Sequence, residues 1–547
     1  MCTSCSPIKM SEILCDNFEQ QLPEIITAIN KSRFVAIDTE FTALYLQNSD
    51  QRSLFDTPED RYAKLYRTVQ HTIPIQIGLS AFSFDPGVNI YQSKTFTFYI
   101  WPKPIMSINL LMQIQATSFQ FLSQHDFDYN KLIYYGIPFL NRKQHFQVQN
   151  DLKEENWPID CVIEKYLDDI DKNIHTWWMS DNENDDKLII ESLKHKLKYD
   201  IDAWYHLQNH LRHNYQDVSK NKRLWTEKSE ENDLILTKVT DKKFKELNIK
   251  DNLKENTIRS ALGFSRVYQA LVSSKKPIVG HNLLMDLLLL LNTFDELPIS
   301  YKKFKSKLHN DFPLIYDTKC LSFKVLRKIP KKLEWKRNTL EDLYEYWLDG
   351  RGKTMSYNTP LVKTDMVLQN NSYHHAGWDS YCTGFVFVHM AHYIAARQLG
   401  IKSHKSRNIT SSEHLHAVKM IENQVNLIQA SLSHIQIDGP DPKSTRPPWL
   451  VAISLENHLD TSQVRLALST YRHIDIEQIT TQKAIIAVSS VNDADEILER
   501  FSKRNDFVIR KYNSLLHNKY AHQLFKLSIG MCAFTAVGLF YSMYKRI

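Results

Sequence analysis

The chain contains few cysteines, and their distribution excludes a disulfide-bonded framework. Of 547 residues seven are cysteine, at positions 2, 5, 15, 161, 320, 382 and 532. This number is odd and the spacing irregular, whereas disulfide scaffolds carry an even number of cysteines at regular spacings. The amino terminus also lacks the charged-then-apolar pattern of a signal peptide. We therefore expect a reducing, cytosol-facing compartment.

The chain also lacks a strong excess of either charge. Lys and Arg number 68 against 62 Asp and Glu, which gives a net charge of +6 and a pI near 8.6. This mildly basic balance fits a nucleic-acid partner without requiring one, because the clustering of charge matters more than its total. The length allows two to four domains. A hydrophobic content of 43% excludes large-scale disorder.

Apolar and β-branched runs predict the first part of a folded core. Residues 34–41, 74–82 and 95–101 are β-rich, and the charged stretch DTPEDRYAKLYR between the first two predicts a loop. The stretch 118–134 predicts one helix. Between about 150 and 255 the sequence becomes dense in charge, which indicates a largely helical insertion. Apolar periodicity then resumes, with PIVG as a short strand and HNLLMDLLLLLNTF as a helix.

Residues 449–512 predict a strand, a helix, two strands, a helix and a strand. This βαββαβ order resembles the RNA-recognition-motif fold. RNA-reading versions expose aromatic rings on their central strands, and the predicted strand KAIIAVSS has none. Protein docking, a structural role and RNA binding therefore all stay open for this domain.

The stretch 527–544, LSIGMCAFTAVGLFYSMY, consists of apolar or small residues and has no polar face. About 18 such residues approach the minimum length that spans a bilayer. Lys526 precedes the stretch, Lys545 and Arg546 follow it, and Tyr541 and Tyr544 suit the membrane interface. We expect a tail-anchored transmembrane helix over 525–547, with a buried helix as the alternative.

Two acidic residues end the first predicted strand. In FVAIDTEF, Asp38 and Glu40 share one face, because alternate residues of a strand point the same way. Two neighbouring carboxylates repel each other unless a cation neutralises them. A solvated strand end would also explain such a pair, so further ligands are needed to indicate a metal site.

Two more carboxylates are candidates for the further ligands, and a histidine lies near one of them in the sequence. Asp286 stands among leucines in GHNLLMDLLLLL, where an unpaired charge would be costly. Asp379 opens the predicted helix of HHAGWDSYCTG, five residues after His374. Considered alone, Asp379 would be explained as the N-cap of a helix, and Asp286 as an acidic residue at the start of a helix. Together with Asp38 and Glu40 they predict a metal centre.

This set of residues suits two-metal hydrolysis of a phosphodiester. Two Mg²⁺ ions roughly 3.5–4 Å apart can stabilise the attacking and leaving oxygens of an in-line displacement. Mg²⁺ prefers carboxylate oxygens, and four acids without cysteine match that preference. A histidine can accept a proton near neutral pH. His374 is the histidine near these carboxylates in the sequence.

The motifs DTEF, GHNLLMD and HHAGWD, in this order, resemble the DEDD superfamily of 3′→5′ exonucleases in its histidine subclass. More narrowly, TPEDRYAKL, FDYNKLIYYGIPFLN, LGFSRV and YDTKCLS resemble the poly(A)-specific ribonuclease (PARN) branch of deadenylases. The resemblance covers about 15–150 and 255–400. It implies that Asp38, Glu40, Asp286 and Asp379 bind metal and that His374 is the general base. It also implies that Phe41 and Leu44 line the terminal-nucleotide pocket, and that Asn282 and Lys319 contact RNA.

The resemblance implies an α/β fold with a ribonuclease H-like core. The expected domains are a first core part (1–150), a charged helical insertion (151–255), a second core part (256–410), an RNA-recognition-motif-like domain (440–515) and the transmembrane anchor (525–547).

The sequence departs from PARN in two places. The insertion has no convincing Arg-x-x-x-His element, and the tail predicts a membrane span. Both departures favour the membrane-anchored Trimmer-type group, which matures the 3′ ends of PIWI-interacting RNAs (piRNAs). That resemblance implies the mitochondrial outer membrane, with the nuclease facing the cytosol, PIWI-bound precursor RNA as substrate and a Tudor-domain scaffold as partner. The endoplasmic reticulum is the alternative membrane, and the sequence leaves a homodimer open.

Three functions are therefore compared. The first is a Mg²⁺-dependent 3′→5′ exoribonuclease that trims small RNA precursors and releases 5′-nucleotides. The second is a membrane-tethered deadenylase of messenger RNA. The third is a catalytically inactive, membrane-anchored RNA-binding adaptor, which the loss of any acidic ligand would have favoured. All four acids are present, which favours an enzyme.

Overall fold

The computed structural model divides the chain into two compact units. The first comprises Met1–Leu46 with Leu65–Val425, and the second Gln47–Lys64 with Asn426–Ile547. The structure describes residues 11–45, 51–154, 161–180, 186–191, 200–229, 233–365, 373–404, 406–443, 449–456, 458–517, 527, 528 and 535. Within these ranges no helix has the length and apolar character needed to span a bilayer. The predicted anchor lies outside the described residues except at those last three positions.

Residues 11–45 and 51–135 form four strands and four helices. They are β1 (Ser11–Ile13), α1 (Phe18–Lys31), β2 (Phe34–Phe41), α2 (Pro58–Val69), β3 (Pro74–Asp85), β4 (Ile90–Tyr99), α3 (Ala116–Gln124) and α4 (Tyr129–Tyr135). The three β-rich runs are confirmed as β2, β3 and β4. The single helix predicted at 118–134 is wrong, because Asp126 adopts a φ of 60° and separates α3 from α4.

The charged stretch after β2 is also not the predicted loop, since most of it forms α2. Thr57 precedes the helix, and its Oγ1 accepts a hydrogen bond from the backbone N–H of Asp60 at 3.2 Å. Pro58 occupies the first helical position, where its missing N–H costs nothing. Glu59 and Asp60 lie in the first turn, where the helix dipole favours acidic side chains. These start signals outweigh the high charge of the stretch.

The insertion contains both helices and a sheet, so the prediction of a helical module was incomplete. The elements that lie in or overlap residues 151–255 are α5 (Arg142–Glu154), α6 (Cys161–Met179), β5 (Lys187–Ile190), α7 (Ile201–Asn214), β6 (Gln216–Asp217), β7 (Lys222–Lys228), β8 (Leu234–Thr240), α8 (Asp241–Lys250) and α9 (Leu253–Leu262). The strands form an antiparallel sheet in the order β5-β8-β7-β6.

The charged side chains of this sheet explain why its strands were missed. Lys222 and Lys238 place their ammonium groups over the rings of Trp178 and Trp177, at 4.6 and 4.5 Å from the centroids. Their stems cover apolar surface while the charge reaches the periphery. Leu224, which follows Lys222 by two residues and is paired with Lys238, is fully buried. Lysines therefore occupy positions where a strand pattern would predict apolar residues.

The rest of the first unit alternates helices with short strands. Its elements are α10 (Ser265–Ser274), β9 (Ile278–Gly280), α11 (Leu284–Phe294), α12 (Tyr301–Asp311), β10 (Ile315–Asp317), α13 (Thr318–Leu326), α14 (Leu340–Leu348), β11 (Leu361–Thr364), α15 (Ala376–Gln398) and α16 (Ser411–Ala417).

One mixed sheet joins the two parts of the nuclease core. The strand order is β1-β4-β3-β2-β9-β10, and β11 also pairs with β4. β3 is antiparallel to both β2 and β4, whereas β2, β9 and β10 run parallel. Parallel neighbours place their carboxyl ends at the same edge, and β2 ends there with its acidic residues. The sheet therefore brings residues near 40 and residues near 280 together.

The second unit is an α+β domain with the predicted βαββαβ order. After β12 (Gln424–Asn426) and β13 (His434–Gln436), its elements are β14 (Leu450–Ser454), α17 (Thr461–Ala467), β15 (Ile474–Thr480), β16 (Lys483–Val488), α18 (Val491–Arg500), β17 (Phe507–Lys511) and α19 (Ser514–His517). Strands β14 to β17 form an antiparallel sheet in the order β15-β16-β14-β17.

Candidate active site

The two acids of β2 lie where this strand leaves the buried sheet. Residues 34–37 are buried, whereas Asp38 and Glu40 are partly accessible. The register places Asp38 opposite Gly78 of β3 and Glu40 opposite Gln76. The strand carries an irregularity immediately after Glu40. The two carboxylates therefore sit at the end of a well-fixed strand, as the sequence predicted.

Asp286 reaches the same place from the first turn of α11. Its side chain is only 8% exposed, and its Oδ1 accepts a hydrogen bond from the Thr39 hydroxyl at 2.6 Å. Burial raises the pKa of Asp286 to about 7, and the Thr39 hydrogen bond opposes this rise. Thr39 lies between the two acids of β2, and its contribution was missed by the sequence reasoning. The only available signal was its position in Asp-Thr-Glu.

Asp379 and His374 come from the start of α15. Asp379 is 7% exposed, and its Oδ2 accepts a hydrogen bond from the backbone N–H of His374 at 2.9 Å. His374 has a φ of 66°, so the loop turns sharply just before the helix. One potential ligand atom each of Glu40, His374 and Asp379 lies within 4.8 Å of the others. The five-residue spacing between His374 and Asp379 thus lets the loop before α15 turn back, so that the backbone of His374 contacts the Asp379 carboxylate.

The first turn of α15 packs directly against strands β3 and β4 of the sheet. A Cβ added at Gly78 would lie 1.8 Å from the carbonyl oxygen of Ala376, and one added at Gly377 would lie 1.9 Å from Thr97 Oγ1. Gln76 Oε1 accepts a hydrogen bond from the N–H of Ala376 at 2.8 Å. Glycine is therefore required at both positions, and Gln76 fixes the helix that carries Asp379.

The charges of Asp286 and Asp379 act on both carboxylates of β2. Burial raises the pKa of Asp38 well above its ordinary value, and the charges of Asp379, Asp286 and Glu40 raise it further. Burial, Asp379 and Asp286 act on the pKa of Glu40 in the same direction. None of the four acids forms a salt bridge with another described residue. Such a cluster fits a divalent cation, because only a cation would compensate for its buried negative charge.

The ring of His374 contacts two other rings, that of Phe121 in α3 and that of His125 directly after this helix. Its ring centroid is 4.3 Å from that of His125 and 4.6 Å from that of Phe121. Burial lowers the pKa of His374, and His125 lowers it further. The imidazole is therefore neutral near pH 7 and able to accept a proton. Its position among the carboxylates also fits a metal ligand.

The predicted RNA-contacting residues fall into two groups. Phe41 directly follows Glu40 and is half-buried, and Leu44 is 44% exposed. Asn282 and Lys319 are held by one buried carboxylate, since the backbone N–H groups of both donate to Asp317 Oδ1 at 2.9 Å. Asp317, which ends β10, was not singled out from the sequence, where it is part of YDTKCLS. It orders the loop immediately before α11.

Several known ribonucleases are similar to this chain. A family model described as CAF1 family ribonuclease matches residues 13–387. The pre-piRNA 3′-exonuclease trimmer of Bombyx mori is 32% identical over 520 residues, which cover 93% of this chain and 94% of that protein. Poly(A)-specific ribonuclease PNLDC1 of Mus musculus is 29% identical over 521 residues, with 93% and 94% covered. The Mg²⁺- and Mn²⁺-bound form of Pop2p from S. pombe matches 72% of this chain and 94% of that chain, at 15% identity and a TM-score of 0.35.

A ribonuclease H-like sheet, a cluster of four carboxylates and relatives named as a 3′-exonuclease and a poly(A)-specific ribonuclease together define a 3′→5′ exoribonuclease. The chain belongs to the CAF1 family of ribonucleases. The expected kinship with poly(A)-specific ribonucleases is confirmed by PNLDC1 and by human PARN, which is 26% identical over 555 residues, covering 94% of this chain and 82% of that protein.

Proposed function

We propose that this exoribonuclease trims the 3′ ends of piRNA precursors and releases 5′-nucleotides. The observation that supports this substrate is the similarity to the Bombyx mori trimmer, which extends over 93% of the chain and is not confined to the nuclease core. The intact carboxylate cluster argues against the inactive adaptor, because an adaptor has no need to retain four mutually repelling acids.

We propose that the cluster holds two Mg²⁺ ions, through Asp38, Glu40, Asp286 and Asp379. When bound, the ions would stabilise the charge that develops on the attacking and leaving oxygens. Thr39 orients the Asp286 carboxylate by its hydrogen bond. His374, neutral near pH 7, accepts the proton of the attacking water. The chain thus supplies both the ligands and the base.

The same proposal assigns the RNA-contacting residues. Phe41 and Leu44 provide apolar surface for the terminal base directly beyond Glu40. Asn282 and Lys319 provide an amide and a cation, and Asp317 fixes both of their backbones. A cation suits a phosphate, and an amide suits a sugar or a base edge. These contacts would hold the last nucleotide against the carboxylates.

The membrane context forms a separate part of the proposal. The apolar stretch 527–544 with its basic flanks supports a tail anchor, which we place in the mitochondrial outer membrane with the nuclease in the cytosol. The proposed partners are a PIWI protein carrying the precursor and a Tudor-domain scaffold. The endoplasmic reticulum remains the alternative membrane.

One substrate comparison tests the proposed function. The full-length protein is given a naked oligo(A), a naked mixed-sequence RNA and a PIWI-bound precursor, each with Mg²⁺ and with EDTA. We expect Mg²⁺-dependent shortening of the PIWI-bound RNA from its 3′ end, stopping where the protein shields it. Degradation of oligo(A) alone would instead establish the messenger-RNA deadenylase. Absence of shortening with Mg²⁺ on all three substrates would leave the adaptor.

A further inference from the structure

The imidazole of His374 is held by contacts with other rings. The backbone of this residue is fixed, since its N–H donates to Asp379 Oδ2 at 2.9 Å. The imidazole itself makes no hydrogen bond and no ion pair with any other described residue. Its ring contacts within the described residues are those with Phe121 and His125, at 4.6 and 4.3 Å between centroids. The orientation of the imidazole therefore depends on these two rings.

Phe121 and His125 present their rings side by side. They lie four residues apart at the end of α3, and side chains at this spacing are neighbours on one side of a helix. The centroids of the two rings are 4.7 Å apart. Phe121 is 41% exposed, and His125 is exposed as well. The two rings, which we call the ring pair, thus form one accessible surface against which the imidazole of His374 lies.

The helix that carries the ring pair is fixed to the core at both ends. Leu122 is 2% exposed and packs into an apolar cluster with side chains of β3 and β4. The hydroxyl of Tyr129 donates to the carbonyl oxygen of Phe119 at 2.8 Å, and the rings of these two residues stack. Before the helix, the N–H of Gln115 donates to the carbonyl oxygen of Thr42, directly after β2, at 2.9 Å. The position of the ring pair relative to the acidic end of β2 is therefore set by the fold.

Packing is the means by which this histidine can be oriented. A histidine that accepts a proton is often held by a hydrogen bond to its second ring nitrogen. No described residue supplies such a bond to His374. Phe121 instead meets the imidazole at 75° between the ring planes, in the edge-to-face arrangement that aromatic rings favour. Such contacts can select one rotamer, and a misplacement of about 1 Å in a reacting group can cost roughly 10²-fold in rate.

We propose that Phe121 and His125 are positioning residues, which hold the imidazole of His374 in the orientation that accepts the proton of the attacking water. This inference rests on the proposed role of His374 as the general base. The ring pair acts through His374 and touches neither the metal nor the reacting phosphate. Its loss should therefore slow the reaction of bound RNA while the binding of RNA and of Mg²⁺ stays unchanged.

The first test removes each ring from the full-length protein. We expect kcat on a naked RNA to fall about threefold to tenfold in Phe121→Leu and in His125→Ala, with KM and Mg²⁺ affinity within about twofold. His125→Phe restores a ring and should recover kcat to within about twofold. Gln124→Ala is the control, because Gln124 is exposed and its side chain makes no hydrogen bond with the other described residues. Weakened Mg²⁺ affinity in the ring variants, or a loss of kcat that His125→Phe does not restore, would overturn the proposal.

A double-mutant cycle separates positioning from direct contact with the substrate. A residue that acts through His374 has no further effect once that histidine is absent. We therefore expect His125→Ala to leave kcat unchanged in a His374→Ala background. A full additional loss of threefold to tenfold in that background would show that His125 acts on RNA directly, which would overturn the proposal.

Nuclear magnetic resonance tests the ring contact without catalysis. In the metal-free protein with isotope-labelled histidine, the Cε1–H resonance of His374 is identified by its absence from His374→Ala. We expect this resonance to move in Phe121→Leu and to stay in Gln124→Ala, because an aromatic ring shifts the resonances of protons close to it. An unmoved resonance would overturn the proposal.

The rates then distinguish the two ways in which the inference can fail. An unchanged kcat in His374→Ala would refute the proposed base and, with it, this inference. A loss of kcat in His374→Ala without any loss in Phe121→Leu and His125→Ala would refute the positioning role alone.

Discussion

Replacing Asp286 by asparagine should stabilise the metal-free protein while abolishing its activity. Burial raises the pKa of Asp286 from its ordinary value of 3.8 to about 7 in the folded state. The folded state therefore binds this proton more tightly than the unfolded chain does. Without metal, ionised Asp286 opposes folding above pH 7, and the protein gains stability as the pH falls from 8 towards 4.

The magnitude follows from the same pKa. One pKa unit corresponds to about 1.4 kcal/mol, so ionised Asp286 costs the metal-free protein about 4 kcal/mol at pH 8. Asparagine removes the charge, and its Oδ1 can still accept the hydrogen bond from Thr39. We therefore expect a gain of up to about 4 kcal/mol at pH 8 in EDTA and a much smaller one at pH 5. Activity should fall by at least several powers of ten, because a ligand is lost.

The measurement is thermal unfolding of both proteins at pH 8 and pH 5, with EDTA and with Mg²⁺, alongside RNA trimming. Mg²⁺ should raise the melting temperature of the unmodified protein and have little effect on Asp286→Asn. Glu296→Gln, at an exposed acid just beyond the same helix, should behave like the unmodified protein. A lower melting temperature for metal-free Asp286→Asn at pH 8, or more than a few per cent of activity at saturating Mg²⁺, would refute the carboxylate cluster as the metal site.

Three further outcomes are expected. The His374→Ala variant should lose roughly 10²–10⁴-fold in the rate of trimming, with its metal affinity little changed and part of the rate recovered at higher pH. The control variant His375→Ala should lose far less rate. A parallel loss of metal affinity in His374→Ala would instead make that histidine a metal ligand. Thr39→Val keeps the side-chain shape without the hydroxyl, so titration should show metal affinity weakened about 10–100-fold, and unchanged affinity would contradict its orienting role. Truncation after residue 522 should move the protein from the membrane fraction to the soluble fraction with activity on naked RNA retained; continued sedimentation with membranes would exclude the tail as the anchor.

Much of the site could be predicted from the sequence because its ligands carry local signals. Asp38 and Glu40 follow a buried apolar run, and Asp379 opens a long apolar helix, so each position is unusual in its own surroundings. Strand identities in the core were predictable for the same reason. Thr39 could not be identified as a partner of Asp286, because their hydrogen bond joins residues 247 positions apart.

Other features depend on packing that leaves no local pattern. The strands of the insertion were missed because lysines over tryptophan rings replace the expected apolar residues. The helix α2 was not predicted because its many charged residues are typical of a loop, although residues 57–60 (Thr-Pro-Glu-Asp) form a typical helix start. Residues 47–64 are joined to the rest of the second unit by contacts such as the hydrogen bond from Ser53 Oγ to Asp475 Oδ2 and the one from Arg61 Nη1 to the carbonyl oxygen of Ile428. Contacts between residues so distant in sequence have no periodicity to detect.

The pairing of β2 with β9 has a consequence for synthesis. Val35 and Ala36 pair with Ile278 and Val279, so more than 200 residues are translated between the two partners. At about 5–20 residues per second, the edge of β2 that later receives β9 has no partner for at least roughly 10 s. An unpaired apolar edge is a site for aggregation. Until β9 emerges from the ribosome, this edge of the nascent nuclease is therefore open to pairing with strands of other chains.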